Sequence, residues 1–315
     1  MVSPELVVCT LGHLASVQEL RERGVPAHSV RTAIDRGAVT RLARGLYACA
    51  HLRTLPDGAR MIMAAHAHGR IGCLSALRRA GVWAGTDPRL HLQLRPDQHG
   101  TQRHLIDDTG RPIVYHWADP FPGTAGTPPP PDAEPRLSTG RSWLVEPMDA
   151  VWRAIHCLDE EHAIACLESA VHEGFISRDQ LAQICRLAPA RLQAGIAEIE
   201  FTADSGQETI VRRRLRHAGL RVVAQESVYG LPAEDLVVED CVGIETDGKK
   251  WHGPDRFQAD RDRDLVFEGL GRRVLRLTLR HVLEDWESTY LTILRVVRDA
   301  QRDQNRRYGQ QRSGP

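Results

Sequence analysis

The stretch Glu234-Asp235-Leu236-Val237-Val238-Glu239-Asp240-Cys241-Val242-Gly243-Ile244-Glu245-Thr246-Asp247-Gly248 decides how this chain is read. Two short apolar runs, Leu236-Val237-Val238 and Val242-Gly243-Ile244, flank the polar Glu239-Asp240-Cys241, which is the pattern of a β-hairpin. Asp235 opens the first strand and Glu245 closes the second, so the hairpin brings two carboxylates to one end. Two carboxylates held close repel and raise one pKa unless a cation stands between them. Mg²⁺ suits such a place, because it takes one or two carboxylates, keeps its waters and accepts a phosphate. Two exposed acids beside a turn are the plainer reading. The neighbours favour the metal. Of 41 Lys and Arg residues only Lys249 and Lys250 are lysines, and both follow the hairpin directly. Lysine is a compact charge whose pKa shifts readily, as a phosphate contact or a proton transfer needs.

These residues resemble the PD-(D/E)xK nuclease superfamily, in its branch related to very-short-patch-repair endonucleases. Asp235, then Glu245-x-Asp247-Gly248 with His252 beyond, follow that branch's order. So do Arg263-Asp264, in a stretch expected to be helical, and Gly271-Arg272-Arg273-Val274-Leu275-Arg276, expected as a strand. Ser205-Gly206-Gln207-Glu208 matches the S-x-x-E setting of a helix before the hairpin. The resemblance covers roughly the last third of the chain. It implies a Mg²⁺ (or Mn²⁺) held by Asp235, Glu245 and the Thr246 carbonyl, with Glu208 helping to hold a metal-bound water or a second ion. The superfamily's lysine position holds Asp247, which leaves the activation of water open among Lys249, Lys250 and His252, with Asp247 a further ligand or a support. Arg263 would meet a phosphate or pair with a carboxylate.

The chain has 315 residues and a formal net charge of zero, so two or three domains are expected and whole-chain electrostatics do not point to nucleic acid. Local charge does. Residues 21–53 hold seven arginines against Glu22 and Asp35, and residues 208–221 hold five arginines against Glu208. Either cluster could neutralise phosphates, although a solvated helix face would look the same. The seven cysteines are scattered, with no C-x-x-C pair, so neither a disulfide framework nor a zinc site is expected. No run is apolar enough to span a bilayer and no signal-peptide pattern opens the chain, so a cytoplasmic location is expected.

The first fifty residues read as a small helical module. A helix ending at the C-cap Gly24, a turn at Val25-Pro26 and a second helix with Val30, Ala33 and Ile34 inward suit helix-turn-helix DNA binding. Ser29, Arg31, Thr32 and Asp35 would then face DNA. Residues 39–47 follow as a β-wing, with Arg41 and Arg44 placed for phosphates. This segment resembles the N-terminal winged helix of AbiEi-type antitoxins through Val25, Val30-Arg31, Gly37, Val39, Arg41-Leu42 and Gly45-Leu46-Tyr47. The resemblance implies DNA and a cognate toxin protein as partners.

Between these ends, an apolar helix from Met61 and strand-like alternations at residues 90–94 and 113–116 show no catalytic arrangement. His66, His68, His91, His99, His104 and His116 fit no ligand spacing, and metal binding is not expected there. Residues 127–135, with four consecutive prolines, read as a linker. Two apolar stripes, Ala150-Val151-Ala154-Ile155 and Ala163-Ile164-Leu167-Val171, and an N-cap at Ser177 mark helices after it. The expected architecture is α+β and multidomain. A winged helix-turn-helix spans 1–55, a mixed α/β region 56–126, a proline-rich linker 127–140 and a helical spacer 141–200. A restriction-endonuclease-like α-β-β-β-α-β core spans 201–301, and a disordered tail 302–315. The expected function is a DNA-binding, Mg²⁺-dependent endonuclease. The alternative is an AbiEi-like antitoxin or transcriptional regulator whose nuclease-like domain is inert.

Overall fold

Apolar residues recur at helical spacing in the first fifty positions, and glycines stand where the chain must turn. In the computed structural model, which describes residues 2–94, 105–117, 121–122, 143–226, 234–246 and 273–312, this pattern becomes α1 (Pro4–Thr10), β1 (Leu14–Ser16), α2 (Val17–Glu22), α3 (Ala27–Asp35), β2 (Val39–Ala43) and β3 (Leu46–Cys49). The three strands form one antiparallel sheet in the order β1-β3-β2. Ser16 caps α2 reciprocally: its Oγ accepts from Glu19 N at 3.2 Å, and its own N donates to Glu19 Oε2 at 2.6 Å. Gly24 and Gly37 follow α2 and α3 at φ 71° and 74°, the left-handed backbone that ends a helix without a Cβ penalty. Val25, Val30 and Ala33 close over Leu20, Val8 and Val39 in one core, with Ile34 packed against it. This is a winged helix-turn-helix. Leu20 is 1% exposed, so Leu20→Ala should lower the unfolding free energy by about 2–5 kcal/mol, read by urea titration.

The chain divides into two units, Met1–Ala194 and Gly195–Pro315. In the first, α4 (Gly58–His66) and α5 (Cys73–Arg79) are separated by the short β4 (Arg70–Ile71), and β5 (His91–Leu94) and β6 (Val114–Trp117) complete a sheet in the order β4-β5-β6. β5 and β6 run parallel, with His91 opposite Val114 and Gln93 opposite His116. The helices α6 (Pro147–Cys157), α7 (Glu160–His172), α8 (Arg178–Leu187) and the single turn α9 (Gln193–Ile196) follow. The expected stripes are buried on α6 and α7 except for the half-buried Val171, and Ser177 and Gln180 form a capping box on α8. These helices are not a free-standing spacer. Trp83 Nε1 donates to His162 Nδ1 at 3.1 Å, and Trp83 N donates to Ser169 Oγ at 3.0 Å, which joins α7 to the region after α5. The winged helix is joined to the same body: Trp143 Nε1 donates to the Leu11 carbonyl at 3.3 Å, and the Arg79 guanidinium lies 5.2 Å from the Trp143 ring centre.

The second unit starts with α10 (Gly206–His217), then β7 (Val222–Glu226), β8 (Glu234–Val238) and β9 (Val242–Thr246) in an antiparallel meander. Glu239 and Asp240 turn the β8–β9 hairpin at φ 50° and 55°, both left-handed, as a turn matching strand twist requires. β10 (Arg273–Leu277) lies parallel to β9 at the sheet edge, giving the order β10-β9-β8-β7. A parallel neighbour needs a crossover connection; the expected helix over residues 260–270 lies outside the described residues, as does the proline-rich stretch. α11 (Leu279–Leu283) and α12 (Trp286–Arg312) close the chain. The expected disordered tail is corrected here. Ile293, Val297 and Ala300 anchor α12 at spacings of four and three, and the Arg- and Gln-rich residues beyond continue the helix because both are good helix formers. Among the described residues, no helix is long and apolar enough to cross a membrane.

Candidate functional site

The candidate functional residues fall in two places, and they are built differently. On the winged helix, Arg31 and Thr32 on α3, Arg41 on β2 and Arg44 in the wing turn are exposed. Gly45 closes that turn at φ 75°. Arg31, Arg41 and Arg44 pair with no acid among the described residues. Asp35 is exposed as well, but Ser29 is buried and does not face outward with the other expected DNA contacts. The reason is helical phase. Ser29 lies one turn before Ala33 on the stripe that packs against the core.

The second arginine cluster turns out differently. Arg213 Nε meets Glu198 Oε2 at 2.9 Å, Arg216 Nη1 meets Glu200 Oε1 at 2.5 Å, and Arg221 pairs with Asp240. Arg212 is fully buried near Glu200, and Arg214 donates to the Val282 carbonyl and stands 4.9 Å over the Trp286 ring. Acids just before α10 neutralise what the sequence leaves looking like a phosphate-binding face. This expectation is corrected.

The second place gathers carboxyl groups from three elements. Ser205 caps α10 by accepting from Glu208 N at 3.2 Å, which sets Glu208 in the first turn of the helix. Glu208 Oε2 accepts from Asp204 N at 2.9 Å and from Gln225 Nε2 at 3.2 Å. Gln225 stands on β7 at φ 52°, a left-handed backbone that a non-glycine residue adopts at some cost. Asp235 Oδ2, on β8, accepts from Thr246 N at 2.8 Å and from Thr246 Oγ1 at 3.3 Å, which ties the open end of the hairpin together. Glu245, one step beyond the Leu236–Ile244 pair, is buried, and its Oε2 meets Arg276 Nε at 3.0 Å from the facing position on β10.

Electrostatics mark these as one group. Burial pushes the Glu208 carboxyl up to about 7, and the Asp235 charge adds to the rise. Burial also raises Asp235; the Thr246 N–H opposes that, and the Glu245 charge adds to it. Buried carboxyl groups that repel one another carry a cost that a cation between them would remove. Glu208, Asp235, Glu245 and Thr246 are thus brought to one end of the sheet's inner strands, while Asp247, Lys249, Lys250, His252 and Arg263 lie outside the described residues. One grouping has no signature along the sequence. Cys73, His91, His116 and Cys157 place their donor atoms within 4.8 Å of one another in the first unit, although no two are near neighbours in the chain.

The Glu208 shift has a stability consequence. A carboxyl raised from its ordinary 4.5 to about 7 holds its proton in the folded state after the unfolded state has lost it. The unfolding free energy should therefore fall by about 3 kcal/mol as pH rises from about 4.5 to 7, and level off above. Urea titrations across that range should show the fall in the wild type and a much flatter profile in Glu208→Gln.

Comparison with known proteins bears on the first of the two places. A family described as "Transcriptional regulator, AbiEi antitoxin" matches residues 12–50, which span β1 to β3. No curated protein matches the chain. The chain thus carries, over its winged helix, a segment similar to AbiEi antitoxin transcriptional regulators.

Proposed function

We propose that the chain is a DNA-binding transcriptional regulator of the AbiEi antitoxin type. The observation that carries this is the set of exposed cations, Arg31 on α3 with Arg41 and Arg44 on the wing, standing without acid partners among the described residues on a winged helix. α3 enters the major groove, where Arg31 and Thr32 reach base edges, and Arg41 and Arg44 hold flanking phosphates. A cognate toxin protein is the partner class that follows from the family description. Fluorescence anisotropy with duplex DNA from upstream of the chain's own gene, against random duplex, tests the reading. Replacing Arg31, Arg41 and Arg44 together with alanine should weaken binding at least tenfold. It should also flatten the salt dependence by about 0.9 in log–log slope for each phosphate that is no longer neutralised. Unchanged affinity in the folded triple variant would rule the reading out.

A second activity is favoured by the buried acids of the second unit. In this reading Asp235 and Glu245, with the Thr246 carbonyl, hold Mg²⁺ or Mn²⁺, and Glu208 orients a water beside them. The ion, when bound, polarises a phosphate and lowers the pKa of that water. Holding the ion requires Glu245 to share its carboxylate between the metal and Arg276, and requires Glu208 to lose its proton. His252, Lys249 or Lys250 would assist proton transfer, Asp247 would be a further ligand or a support, and Arg263 would pair with a neighbouring carboxylate or meet a phosphate. The test is nicking of supercoiled and mismatched DNA with either metal. Cleavage should occur in the wild type and vanish in both Asp235→Ala and Glu245→Ala. DNA binding with no cleavage by the wild type would leave the regulator alone.

A further inference from the structure

Four elements of the first unit each deliver one soft or borderline donor to a single point. Cys73 opens α5, His91 opens β5, His116 lies on β6 and Cys157 closes α6. Cys73 Sγ stands 3.5 Å from Cys157 Sγ, His91 Nδ1 stands 3.0 Å from His116 Nε2, and Cys157 Sγ stands 4.0 Å from His116 Nε2. A tetrahedral zinc ion with Zn–S of about 2.3 Å and Zn–N of about 2.05 Å has donor–donor edges of about 3.8 Å (S–S), 3.4 Å (N–N) and 3.6 Å (S–N). Each observed edge falls within about half an ångström of its ideal.

The scaffold aims these atoms. His91 and Gln93 face Val114 and His116 across the parallel β5–β6 pair, so both histidines fall on one face of the sheet. Their rings stack at 5.2 Å between centres. Ser75 Oγ accepts from His91 N at 2.9 Å, which fixes the start of β5 to α5. His91 Nε2 lies 3.4 Å from Asp87 Oδ2, the carboxylate contact that orients a metal-binding imidazole through its far nitrogen. Cys73 takes a left-handed backbone, φ 48°, at a cost of order 1–3 kcal/mol for a non-glycine residue. Gly72 before it is closely packed: a Cβ there would come 3.2 Å from Val145 Cγ1 and 3.3 Å from Gln93 Cβ, so both neighbours would have to give way slightly.

Hydrogen bonding alone is a poor account of this cluster. Two facing imidazole nitrogens can share only one proton, and the two thiols beside them are weak partners. We propose that Cys73, His91, His116 and Cys157 form a Cys₂His₂ site for Zn²⁺ that ties α5, β5, β6 and α6 together. Two thiolates and two imidazoles select zinc over harder cations. Four protein ligands leave no open position, so the role is structural. Cys157 is exposed and gives the ion a way in. The site is independent of the acids in the second unit, and its test does not read DNA cleavage.

A second group, Cys9, Cys49 and His51, offers three donors in the winged helix and serves as the control. Full-length chain without a histidine tag, expressed with zinc, is assayed by elemental analysis. About one zinc per chain is expected, retained in Cys49→Ser and lost in both Cys157→Ala and His116→Ala. These two positions are exposed and half-buried, so the variants test ligation without emptying the core. Co²⁺ in place of zinc should give the intense visible bands of a tetrahedral thiolate site, absent in Cys157→Ala. Chelation should lower the melting temperature of the wild type. Zinc retained in the Cys157→Ala/His116→Ala double variant would overturn the proposal. So would loss of zinc from Cys49→Ser alone, or a metal-free wild type with Cys73 and Cys157 oxidised to a disulfide.

Discussion

β9 is buried from Val242 to Glu245 and bonded along both edges, antiparallel to β8 and parallel to β10. A strand in that position carries whatever ends it into low dielectric, and here the end is Glu245. Burying a carboxylate costs several kcal/mol unless it is paired or neutralised. The pairing on β10 answers this directly, because the parallel register sets Arg276 opposite Glu245. The neighbouring strand answers it less well. Among the described residues, Asp235 has only the Thr246 hydroxyl and N–H at hydrogen-bonding distance, and Glu208 retains its proton to about 7. Acids kept close and incompletely compensated are what a stability-driven design would replace, and that tension is the physical basis for treating them as functional.

The winged helix and the β8–β9 hairpin are legible in the sequence because short-range chemistry dictates them. Gly24 and Gly37 fix where the helices of the winged module stop, and Val30, Ala33 and Ile34 fix which side of α3 turns inward. The hairpin is legible from two apolar runs around Glu239-Asp240-Cys241. Ser29 is the exception, since its polarity argues for solvent while its phase puts it one turn before Ala33, and phase wins. For the acids, the sequence places Asp235 and Glu245 on one hairpin and Glu208 in a helical first turn. The contacts of Gln225 and Arg276 with them depend on strand pairing across the sheet, which local pattern does not encode.

The two arginine clusters look alike in sequence and have opposite fates. That of residues 208–221 lies behind a loop carrying Glu198 and Glu200, which fold back onto Arg213, Arg212 and Arg216. No such loop covers the cluster of the winged helix among the described residues, so Arg31, Arg41 and Arg44 stay exposed there. The Cys/His cluster is hidden from sequence for a related reason. Zinc motifs are found by short spacings, whereas these ligands are separated by 18, 25 and 41 positions (73 to 91, 91 to 116, 116 to 157) and meet through the β5–β6 pairing and the ends of two helices.

The indole of Trp143 reaches back across the chain to the carbonyl of Leu11 while Arg79 covers its face. Many small DNA-reading modules hang on tethers and tumble on their own timescale. A module held by Trp143 has no such freedom. It belongs to the Met1–Ala194 unit, so a force applied at the wing passes through the Leu11–Trp143 contact into the body of that unit.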